Sequence, residues 1–146
     1  MKKKRYGLIL IFIVLLSAGF LFIGKPGIAI NNRQLKKVFT AISDVEVITL
    51  DEVVPFEWDK VYTFTPYTSK EEIEKVIGFS SPAITETVNE GMVQLIFVKE
   101  DKIVASVCGY SGSLGYSVQF EGMITYGAGT KFEIEYKDDI ICFYEQ

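Results

Sequence analysis

Residues 7–24 read GLILIFIVLLSAGFLFIG, an uncharged run of 18 residues in which Ser17 is the one hydroxyl, directly behind Lys2-Lys3-Lys4-Arg5. As a helix the run is about 27 Å long, enough to cross the hydrocarbon core of a bilayer. The basic cluster should stay on the cytoplasmic side, which puts everything C-terminal of the run outside the membrane. A cleaved signal peptide is the competing reading. Such peptides have an apolar stretch of roughly 7–15 residues and a small-residue cleavage site, and Ser17-Ala18-Gly19 and Gly27-Ile28-Ala29 are the candidates for one. No cysteine lies near the run, so no lipoprotein anchor is expected. The chain therefore divides into residues 1–30, a cytoplasmic basic tip plus transmembrane anchor or signal segment, and residues 31–146, an extracytoplasmic domain. The expected location is the cell membrane, single-pass with the N-terminus inside, or the medium if the segment is removed.

Charge follows the same division. Residues 1–30 hold five of the 15 basic residues and none of the 19 acidic ones, which leaves ten against 19 in residues 31–146, a net charge of −9. An acidic body without a basic stripe is a poor match for a phosphate backbone, so no nucleic-acid partner is expected. Histidine is absent, which removes the Ser-His-Asp and Cys-His nucleophile systems and the usual zinc ligand sets. No metal and no cofactor are expected.

Lys25-Pro26-Gly27 reads as a break after the apolar run. Asn31 or Asn32 then caps a short helix, Arg33 to Ile42, with Leu35, Val38, Phe39 and Ile42 on one stripe. Ser69 and Glu72 form a capping box ahead of a second short helix that ends at Gly78. Between and after them the pattern is that of strands. Val45–Leu50 is β-branched, and Trp58–Thr65 alternates with Trp58, Tyr62 and Phe64 on one face. Met92–Val98 is apolar on both faces, as in a strand covered on both sides. A two-residue turn at Glu100-Asp101 joins it to Lys102–Tyr110. Lys131–Lys137 alternates with Phe132, Ile134 and Tyr136 inward, and Asp138-Asp139 turns the chain into Ile140–Tyr144. The expected fold is α+β: an antiparallel sheet of about five to six strands with two short helices packed on one face, preceded by one N-terminal transmembrane helix.

Four groups of residues invite a chemical reading. Cys108 and Cys142 fall on strands of an exported domain and can pair as a disulfide if their Cα atoms lie within about 7 Å; otherwise they are two core thiols. Gly109–Gly115 carries serines but lacks the glycine pattern of a nucleophile elbow and of a phosphate loop, so a hairpin connection is expected. Glu57 and Asp59 flank Trp58 and are the carboxylate pair that a hydrolase of the cell envelope would use; solvation at the surface is the simpler fate. Trp58, Tyr62, Phe64 and Tyr67 crowd ten residues. Trp58 and Phe64 suit a core, whereas an exposed Tyr62 or Tyr67 would mark a partner-binding patch. Trp58, Tyr62 and Tyr67 are the candidate partner-binding residues.

The stretch from Phe56-Glu57-Trp58 through Pro66-Tyr67-Thr68-Ser69-Lys70-Glu71-Glu72-Ile73 to Gly78 resembles a group of small uncharacterised exported or membrane-anchored proteins of Gram-positive bacteria that share a WD..Y.F.PYTSKEEI....G block. The resemblance covers about a sixth of the chain. It implies the compartment and an α+β body, and no activity. With no histidine and no complete catalytic motif, the chain is expected not to be an enzyme. It reads as a membrane-anchored extracytoplasmic module that binds an envelope protein or peptide in an immunity, inhibitor or assembly role, with a carboxylate hydrolase using Glu57 and Asp59 as the alternative.

Overall fold

The computed structural model describes residues 26–146; the apolar run 7–24 and its anchor reading lie outside the described residues. Among the described residues no helix is long and apolar enough to cross a membrane. The first element is helix α1, Pro26–Phe39. Gly27 lies within this helix and Pro26 stands at its first position, where a missing N–H is harmless; the break expected at the end of the apolar run borders residues outside those described. The division at 30/31 falls inside α1. Ile28, Asn32, Leu35 and Phe39 recur at helical spacing, with Leu35 and Phe39 fully buried.

The chain continues through β1 (Val47–Thr49), a single turn α2 (Leu50–Val53), β2 (Lys60–Tyr62), α3 (Lys70–Ile77), β3 (Met92–Lys99) and β4 (Lys102–Tyr110). A single turn α4 (Ser111–Leu114) leads to β5 (Tyr116–Gln119), β6 (Met123–Thr125), β7 (Lys131–Lys137) and β8 (Ile140–Glu145). The class is α+β, but the single sheet of five to six strands is corrected. There are two four-stranded sheets, in the orders β1-β7-β8-β5 and β4-β3-β2-β6. The reason lies in the pairing of β5 with β8, which is parallel, Tyr116 opposite Ile141 and Gln119 opposite Tyr144. Parallel neighbours are joined by crossovers, not hairpins, so no turn signal marks them. Here the crossover carries the chain through β6 in the other sheet and back.

The sheets face one another across a core of Val61, Leu95, Phe97, Phe132 and Phe143, among others. A second cluster lies on the far side of the β4-β3-β2-β6 sheet, where Tyr62, Ile96 and Ile103 meet Ile73 of α3 and Ile84. β3 is thus covered on both faces, as its unbroken apolar sequence requires. Of the two longer helices only α3 lies on a sheet face. α1 instead plugs one side of the sandwich, where Phe39 meets Tyr116 of β5 edge-on at 5.1 Å and Phe143 of β8 at 4.7 Å. The close approach of Thr40 explains Gly115: a Cβ there would lie 3.0 Å from the Thr40 methyl, and φ is +84°.

Asn31 and Asn32 are not caps, because they lie one to two turns inside the helix. They face β4, the edge strand of its sheet. Asn32 Nδ2 donates to the Ser106 carbonyl at 2.7 Å and its Oδ1 accepts the Ser106 N–H at 3.0 Å; Asn31 Nδ2 donates to the Val104 carbonyl at 2.8 Å. The Asn32 amide offers one donor and one acceptor, as a neighbouring strand would, and so completes the ladder of an edge that would otherwise be open.

Tyr116 shows the opposite economy. It is fully buried, its hydroxyl has no hydrogen-bond partner among the described residues, and burial pushes the phenol up to about 12. Tyr116→Phe removes a desolvated hydroxyl while keeping the ring, so it should raise the unfolding free energy by about 1 kcal/mol in urea titrations. A loss of stability would show that the hydroxyl bonds to a buried water.

Candidate binding surface

The three candidate aromatics do not share a surface. Trp58 is buried in the inter-sheet core, its ring edge-on to Phe97 at 5.6 Å and to Tyr126 at 5.3 Å. Tyr62 is buried in the other cluster, on the opposite face of the sheet, stacked with Phe64 at 6.3 Å. The expected single face fails because the strand starts at Lys60: alternation does not extend back across Asp59 to Trp58. Neither Trp58 nor Tyr62 is an exposed partner-binding residue.

Tyr67 is exposed, with 67% of its surface open, and its backbone is in the left-handed region at φ +69°. An L-residue with a bulky side chain pays roughly 1–2 kcal/mol for that conformation, where glycine or asparagine is the usual choice. The surroundings enforce it. The Tyr67 N–H donates to the Thr87 carbonyl at 2.9 Å, and the Thr68 hydroxyl donates to the Thr65 carbonyl at 2.7 Å. One residue on, Ser69 starts α3 with the expected capping box: the Glu72 N–H donates to Ser69 Oγ, and the Ser69 N–H donates to Glu72 Oε2 at 3.0 Å. The backbone N–H and then the hydroxyl of Ser69 hold the Glu72 carboxyl below its ordinary range. Gly78 closes the helix at φ +91°. Tyr67 and Val76 line one shallow depression, and Val76 is 60% exposed; Val88, next to the Thr87 that bonds Tyr67, is 59% exposed.

Glu57 and Asp59 do line a common groove, about 600 Å³ in volume, between Pro55, Phe56 and Tyr126. Each carboxylate has a local partner. Glu57 Oε2 pairs with Lys99 Nζ at 2.7 Å, a bond that raises the Lys99 pKa. Asp59 Oδ2 accepts the Glu100 N–H at 2.6 Å and so holds the tight turn between β3 and β4, where Glu100 has φ +53°. Asp51, on the same groove, accepts the N–H groups of Gly127 and Gly129 at 3.0 and 3.3 Å.

Cys108 and Cys142 carry free thiols, so the candidate disulfide is not formed. Cys108 sits opposite Gln94 under the segment 79–91, its sulfur 3.8 Å from the Glu86 carbonyl, and burial pushes the thiol up. Cys142 sits opposite Glu135 and Ser117 on the outer face of the other sheet. Two sheets and the core lie between them. The serine-bearing stretch after Cys108 is not the expected hairpin connection: it is the single turn α4, which links β4 of one sheet to β5 of the other.

Sequence reasoning missed Asn31 and Asn32 as tertiary residues. The signal was present: Asn32 falls on the stripe Ile28, Leu35, Phe39, and a polar residue on a buried stripe needs a partner there. Among the described residues no group of three or more metal-ligating side chains converges. No family model, no curated protein and no solved structure matches the chain.

Proposed function

We propose that the chain is a membrane-anchored extracytoplasmic module of the bacterial cell envelope that binds a protein or peptide partner through the surface around Tyr67, Val76 and Val88. The observation that carries this reading is the backbone of Tyr67. A bulky residue held in a strained conformation with two thirds of its surface in solvent points to a role outside the fold. Tyrosine is also the residue type that most often anchors a protein interface, together with tryptophan and arginine. The reading is non-enzymatic: it takes Glu57 and Asp59 as holding Lys99 and the Glu100 amide rather than as acid and base.

Anchoring through residues 7–24 is supported by the start of α1 at Pro26, two residues beyond the run, with no linker between.

A photo-crosslinking side chain placed at Tyr67 in the native host should give one dominant adduct that is absent when the probe stands at Glu133, on the outer face of the other sheet. Tyr67→Asn should then weaken binding of the identified partner at least tenfold in vitro, while the unfolding free energy stays level or rises by up to about 1 kcal/mol, since asparagine tolerates the left-handed region. Identical adducts at both positions, or binding that survives Tyr67→Asn, would refute the proposal.

A further inference from the structure

A further concave surface lies at the end of the molecule away from Tyr67. A groove of about 610 Å³ is walled by Ile28 and Ala29 of α1, by Phe79, Pro82 and Ala83 of the segment after α3, and by Ile103 at the start of β4. Asp101 and Lys102, one charge of each sign, stand at its rim.

The direction of α1 fixes where this groove points. Asn31 bonds at Val104, Asn32 at Ser106 and Lys36 Nζ at the Ser113 carbonyl, so the helix runs alongside β4 in the same sense. The first turn of α1, the tight turn after β3 and the segment 79–83 therefore lie together at one end of the sandwich. The Met92 end of β3 and the Tyr110 end of β4 lie at the other, eight residues or about 26 Å away along the strand. Tyr67 belongs to that far end, since its N–H bonds Thr87 and the nearby Thr85 carbonyl accepts from Gln94.

We infer that the groove between the first turn of α1 and residues 79–83 rests in the lipid headgroup layer and seats the body upright on the membrane. The inference depends on the reading of residues 7–24 as an anchor. Ile28 is four residues beyond Gly24, so it lies at most about 14 Å from the end of the apolar run whatever the conformation between them. The headgroup layer is itself about 5–8 Å thick. A tether this short, ending in a helix latched to β4, keeps the Ile28 wall of the groove within about 6–9 Å of the headgroup layer even at full extension. Its lining suits that place. Ile28, Phe79 and Pro82 are side chains that partition into the acyl boundary, and the balanced Asp101 and Lys102 suit a zwitterionic surface.

The test uses the full chain in nanodiscs of phosphatidylcholine with a minor share of phosphatidylglycerol, with and without a gadolinium-bearing lipid headgroup. Paramagnetic relaxation of the backbone amides of Ala29, Ser81, Ala83 and Lys102 should exceed that of Gly91, Gly109 and Tyr110 by at least about fivefold, as an offset of about 26 Å along the strand demands. Pro82→Glu should reduce the enhancement at Ser81 and Ala83 at least twofold. Enhancement at residues 27–30 without any at 79–83 would overturn the inference and leave the anchor standing. No enhancement at either would overturn the anchor as well. Enhancement at 79–83 that Pro82→Glu leaves unchanged would mean proximity without contact, and would also overturn it.

Discussion

Replacing Asn32 with alanine should lower the unfolding free energy by about 2–4 kcal/mol and promote association of the body with itself. The side chain makes two hydrogen bonds to one residue of β4, at 2.7 and 3.0 Å. Its loss strands the Ser106 N–H and C=O together, in a place where α1 still limits access of water. Each orphaned group costs roughly 1–3 kcal/mol, and the free edge then offers an unpaired segment of a nine-residue strand to a second molecule. Urea unfolding gives the first effect and light scattering the second. Asn32→Asp is the sharper control. A carboxylate can still accept from the Ser106 N–H but cannot donate to the carbonyl, so it should fall between alanine and the native residue. Wild-type stability in both variants would mean that the sheet edge is satisfied without α1.

Phe39→Ala should cost about 3–5 kcal/mol, the range for deleting a fully buried ring that leaves a cavity. Phe39 is 0% exposed and packs on two rings from the far sheet. Because it closes the side of the sandwich, the loss should be uneven: amide exchange should rise in α1 and β5 before it rises in β3, which is covered on both faces and has its own neighbours in both clusters. A cost below 1 kcal/mol would show α1 to be an appendage, and the seating of the groove on the membrane would lose its rigid support.

What could be read from the sequence was local. The cap at Ser69 and Glu72, the stop at Gly78, the turns at Glu100-Asp101 and Asp138-Asp139 and the double-sided β3 each depend on residues within a few positions of one another. The alternation of β7 held for Phe132 and Ile134 and failed at Tyr136, which is 56% exposed and reaches back to the Ile42 carbonyl. Whatever depends on distant residues could not be read. The split into two sheets rests on a parallel pairing between strands that no hairpin joins. The separation of the cysteines is a distance in space, and the burial of Trp58 follows from where a three-residue strand begins. Tyr67 is the instructive failure: its exposure was one of two outcomes the sequence left open, but nothing about tyrosine announces a left-handed backbone, which is imposed by Thr87 twenty residues away.

The latch on β4 also sets an order of events. Asn31 and Asn32 reach their partners 73 and 74 residues further along the chain. At synthesis rates of 5–20 residues per second, α1 waits about 4–15 s for the strand it will cover. A 14-residue helix is marginal by itself, so for that interval the segment has little reason to hold its shape. The earliest-made part of the described body is therefore among the last to be fixed. A ribosome stalled before Ser106 should display an α1 that a protease still cuts.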